Sequence, residues 1–70
     1  MKIPNIEKIE LYELKGMLDA AERTETAVKY LRNRTALKEF EDFYLFIDKV
    51  AQQLELEIEK RESNAKPTRK

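Results

Sequence analysis

The chain has 70 residues, 41% hydrophobic and 40% charged, with 14 basic side chains balanced by 14 acidic ones and neither cysteine nor histidine. Disulfides, thiolate metal sites and histidine-based catalysis are thereby excluded, and the net charge argues neither for nucleic acid nor against it. A single core of this size rarely supplies more than about 3–5 kcal/mol unaided, so self-association is the expected source of further stability.

One glycine and two prolines among abundant Leu, Glu, Lys, Arg and Ala point to helix nearly throughout, an all-α fold. The N-terminal Met1-Lys2-Ile3-Pro4-Asn5 leads into no apolar stretch of signal-peptide length, and no run approaches the ~20 apolar residues of a membrane span. Together with the absence of cysteine, this gives the expectation of a soluble, cytoplasmic protein.

The spacing predicts a first helix over about 5–32. Asn5 is its expected cap, with Glu7 in the first turn favourably placed against the helix dipole. Ile6, Leu11, Leu14, Met17, Leu18, Ala21, Val28 and Leu31 fall on one side of a helical wheel. Gly16 lies within this stripe and could break the helix, with Asp19 to Glu22 as a second capping signal. The stripe keeps its phase across Gly16, which favours one helix. At Arg32-Asn33-Arg34-Thr35 the positions that should continue the stripe are polar, so the turn is expected at about 32–35.

A second helix is predicted over about 36–63. Leu37, Phe40, Tyr44, Ile47, Ala51, Leu54 and Ile58 alternate spacings of three and four, the heptad pattern of a helix seam. Alternation in Leu54-Glu55-Leu56-Glu57-Ile58-Glu59 would also suit a strand, but glutamate is a poor strand former and Leu54 and Ile58 already belong to the heptad. Lys60 and Arg61 complement the helix dipole, Ser63, Asn64 and Pro67 mark the end, and residues 65–70 read as a disordered basic tail.

Residues 1–64 thus read as a single domain, an antiparallel helical hairpin of two long helices dimerising into a four-helix bundle. The alternative is a compact three-helix fold in which the first helix breaks at Gly16 and wraps the last. Phe43, Phe46 and Val50 widen the apolar face of the second helix, and Leu45 and Leu56 lie on its far side. These five residues are the candidate protein interface, because soluble monomers usually avoid such patches.

Lys29, Arg32, Arg34 and Lys38 form a basic tip without an acid between residues 29 and 38, so they are the candidates for phosphate contacts. The other reading of this tip is a solvated turn paired with Glu25, Glu39 and Asp42. Thr24 to Leu37 superficially resembles the helix-turn-helix of excisionase-type regulators, but it lacks the glycine usual in that turn and its connection is one residue short. No family is inferred from it.

No catalytic constellation stands out. The carboxylate clusters Glu55/Glu59 and Glu7/Glu10/Glu13 read as solvated faces, and no catalytic residue, metal site, cofactor or small-molecule substrate is expected. The leading expectation is a non-enzymatic protein-binding module, in the style of accessory proteins from phages and mobile elements: an inhibitor, adaptor or assembly factor, acting as a homodimer on another protein. A small nucleic-acid-binding regulator and a self-assembling scaffold are the alternatives.

Overall fold

In the computed structural model, residues 2–65 are described. They form a short 3-10 turn at Ile6–Lys8 and two long helices, α1 (Leu11–Thr35) and α2 (Lys38–Ala65), which pack antiparallel as a hairpin of 51 × 24 × 16 Å. The fold is the all-α helical hairpin that the two apolar stripes imply. The expected basic tail lies outside the described residues, apart from Ala65, which ends α2.

Leu14, Ala21 and Val28 of α1 are buried, as are Ala51, Leu54 and Ile58 of α2, and Leu54 is only 1% exposed. This is the seam expected from the spacing, with one correction. Leu37 precedes α2 and is 51% exposed, and its backbone carbonyl accepts the first helical bonds from the amides of Phe40 and Glu41. The core accordingly lies toward the open end of the hairpin, with Phe40, Tyr44 and Ile47 half-buried nearer the turn. Leu54 to Ile58 is helical throughout, so the strand reading fails.

Helix α1 runs unbroken through Gly16, so the three-helix alternative is not adopted. It begins at Leu11, however, and not at Asn5. Asn5 adopts the left-handed conformation, makes no side-chain cap, and opens the 3-10 turn instead. The reason is the packing of the isoleucines. A helix continued back from Leu11 would turn Ile9 about 120° away from the buried stripe, whereas the observed segment lays Ile3, Ile6 and Ile9 on the core.

The turn falls at Ala36–Leu37, just beyond the expected span of 32–35. Ala36 takes the left-handed conformation (φ 59°, ψ 25°) and its amide closes α1 on the Arg32 carbonyl. Thr35 serves both sides: its hydroxyl donates to the Leu31 carbonyl at 3.0 Å and accepts from the Leu37 amide at 3.3 Å. Arg32, whose polarity suggested the break, carries the seam one turn further. Its guanidinium stacks 4.6 Å from the Tyr44 ring centroid and pairs with Glu41 at 3.2 Å. Thr24 to Thr35 is therefore one stretch of continuous helix, and no helix-turn-helix exists there.

Candidate protein-binding surface

Three contacts fix which side of α1 meets which side of α2. Lys15 pairs with Glu62 at 2.8 Å, the carboxyls of Glu25 and Asp48 meet, and Arg32 reaches Glu41 and Tyr44. On a wheel of 3.6 residues per turn, Lys15 and Glu25 stand to one side of the Leu14–Ala21–Val28 stripe. Glu41, Tyr44, Asp48 and Glu62 stand to the matching side of Ala51–Leu54–Ile58. One flank of the hairpin is therefore polar and carries the cross-helix charge pairs.

The remaining sides share the opposite flank. On α2 these are Phe43, Phe46 and Val50, and on α1 they are Leu31, Thr24 and Met17. The level contacts on the charged flank place Leu31 beside Phe43 and Thr24 beside Val50. Phe43 and Phe46 are 45% and 50% exposed, Leu31 and Met17 are also exposed, and Val50 and Thr24 are half-buried. The result is an apolar strip toward the turn end, formed by Leu31 of α1 with Phe43, Phe46 and Val50 of α2, while Met17 lies further along the flank, level with Glu57.

At the open end the same flank is closed. Arg61, on this side of α2, donates from Nη2 to the Ile6 carbonyl at 2.8 Å and from Nη1 to the Ile9 carbonyl, while its Nε donates to Glu57 at 2.9 Å. This brings the N-terminal segment over Leu14 and Leu54, which are its nearly fully buried neighbours in the core. Sequence reasoning gave Arg61 only a dipole role. The isoleucine spacing of three at positions 3, 6 and 9 was the signal that a 3-10 segment needed holding.

Leu45 and Leu56, the other two candidate interface residues, do not join the strip. They are exposed on the outer face of α2, about 17 Å apart along the helix, with Lys49 and Gln52 between them. The basic tip is likewise dispersed. Arg32 is bound to Glu41, Lys38 pairs with Asp42 at 3.0 Å, and Arg34 lies 5.5 Å from the Tyr30 ring centroid. Lys29 and Arg34 point about 140° apart on α1.

The electrostatics on the charged flank centre on Glu25, whose carboxyl is held above its ordinary value of 4.5. A hydrogen bond with Asp48 is the main cause, then burial and the charges of Asp48 and Glu22, partly offset by Lys29. Gln52 donates to Asp48 Oδ2 at 3.0 Å. Among the described residues there is no pocket and no group of three metal-ligating side chains, and no helix is long and apolar enough to cross a membrane. No protein-family model, curated protein or solved structure matches the chain.

Proposed function

We propose that the chain is a protein-binding module that works by contact and not by catalysis, an inhibitor, adaptor or assembly factor whose contact surface is the apolar flank. The observation that carries this reading is the division of labour between the two flanks. Polar cross-helix pairs hold the hairpin on one side, and two exposed phenylalanines with Leu31 and Met17 occupy the other. Aromatic side chains buried at the centre of an apolar strip are the usual anchors of protein interfaces.

The experiment is capture from cells of the source organism with immobilised wild type and with Phe43→Glu/Phe46→Glu, both checked for helicity by circular dichroism. Proteins retained by the wild type and lost with the folded double variant support the reading. Equal retention by both overturns it. A parallel titration with duplex DNA at low salt addresses the basic tip: with Arg32 and Lys38 already paired, no salt-sensitive binding is expected.

A further inference from the structure

We propose that the apolar flank is occupied by a second copy of this chain, docked so that the two α2 helices cross antiparallel about a twofold axis at Phe46. This rests on the reading of the flank as a protein-binding surface and names its occupant. A twofold interface requires a surface that is complementary to itself, with each residue on one side of the axis matched by its partner on the other.

The outer edge of α2 has that property about one point. Asp42 and Lys49 lie one heptad apart on the same edge, four residues before and three after Phe46, and both are exposed. Phe43 and Val50 stand three before and four after it, one step closer to the seam. When a second α2 is laid antiparallel with Phe46 against Phe46, Asp42 meets the partner's Lys49, Phe43 meets the partner's Val50, and each match occurs twice.

Glu39 and Gln53, seven residues to either side of Phe46, extend the pattern as a carboxylate facing an amide donor. A parallel crossing would instead set Asp42 against Asp42 and Lys49 against Lys49. Charge thus selects the antiparallel pairing, and the phenylalanines supply its apolar centre.

The N-terminal segment fixes the extent of the overlap. Held by Arg61 across the open end of the flank, it occupies the layer that a fully overlapping partner would need. Only the turn-proximal half of each hairpin is free for contact, and that half is centred on Phe46. The existing bonds from Lys38 to both Asp42 oxygens, at 3.0 and 3.1 Å, do not oppose the pairing, because an exposed pair one turn apart contributes little and each carboxylate oxygen keeps a further lone pair to accept with.

Sedimentation equilibrium at micromolar to 100 µM chain concentration, with helicity followed in parallel, tests the arrangement. Wild type is expected as a dimer of the 8.3 kDa chain. Phe46→Glu should raise the dissociation constant roughly thirtyfold or more while remaining helical. Asp42→Lys and Lys49→Asp should each weaken the dimer by roughly fivefold, through two repulsive contacts, and the combined charge swap should recover wild-type association.

A wild-type monomer at 100 µM overturns the second copy as occupant and leaves the protein-binding reading to the capture experiment. A dimer that is indifferent to Phe46→Glu, or one that the combined swap fails to restore, overturns the antiparallel crossing at Phe46.

Discussion

Arg61 and Ile6 are 55 residues apart in the chain, yet the Arg61 guanidinium donates to the Ile6 backbone carbonyl at 2.8 Å. With the bond to Ile9 and the bond to Glu57, this one side chain fastens the N-terminal segment to the C-terminal end of α2. Both Arg61 and Glu57 are mostly buried, 22% and 12% exposed, so these charge-assisted bonds are only partly screened.

Arg61→Ala is therefore expected to destabilise the hairpin by about 1.5–3 kcal/mol, the range for hydrogen bonds from charged groups. Arg61→Lys should recover only part of this, because an ammonium cannot hold two carbonyls and a carboxylate in one plane. Native-state hydrogen exchange is the sharper readout. Protection of the Lys8 and Ile9 amides, which bond to Asn5 and Ile6, should fall before that of α1 or α2.

Ala36 offers a stabilising change. An alanine in the left-handed region costs about 1–2 kcal/mol that glycine avoids, while glycine adds freedom to the unfolded chain. Ala36→Gly should gain about 1 kcal/mol net and raise the thermal midpoint by roughly 5 °C at fixed protein concentration. A lower midpoint would show that the turn differs from the one described.

Glu25 provides the pH dependence. Its folded-state value lies above the ordinary 4.5, so protonation favours the fold; the contribution is fully present below about pH 4.5 and is lost as pH rises through the raised value. Above that value the charged Glu25 carboxylate is held against Asp48. Glu25→Gln should stabilise the hairpin there by a few tenths of a kcal/mol, about the worth of an exposed like-charge pair. Thermal melts of both chains from pH 7 down to about 4 should show this advantage shrinking, and a constant difference would contradict the shared proton.

Leu37 and Leu54 both belong to the sequence heptad but should respond to substitution to very different degrees. Leu54→Ala removes a side chain from the packed seam and should cost about 2–5 kcal/mol. Leu37→Glu lies in the turn and should cost less than about 1 kcal/mol, measured by urea denaturation.

What could be read in advance follows from what periodicity encodes. Leu54, Ile58, Leu14 and Ala21 repeat at helical spacing, so their burial and the hairpin itself were legible, as was the continuity of α1 through Gly16. Phe43, Phe46 and Val50 fall beside the seam by the same arithmetic. Leu31 and Met17 could not be assigned to their flank, because that requires knowing which side of α2 they meet, and the charge pairs that decide it join distant residues.

Arg32 misled for a chemical reason: polarity hides a flat cation that stacks on Tyr44 as an apolar side chain would. At the N-terminus, Pro4-Asn5 imitates a helix start, while the preference of three isoleucines for the core overrides it.

Radical footprinting of the native protein over a concentration series tests most directly whether the flank is covered by a second copy. Labelling of Phe43 and Phe46 should fall together as concentration rises through the dimerisation range, with Tyr12, 73% exposed on the other side of α1, unchanged as the internal reference. Labelling of Phe46 that stays constant while sedimentation reports association would place the contact elsewhere and contradict the assignment of this flank.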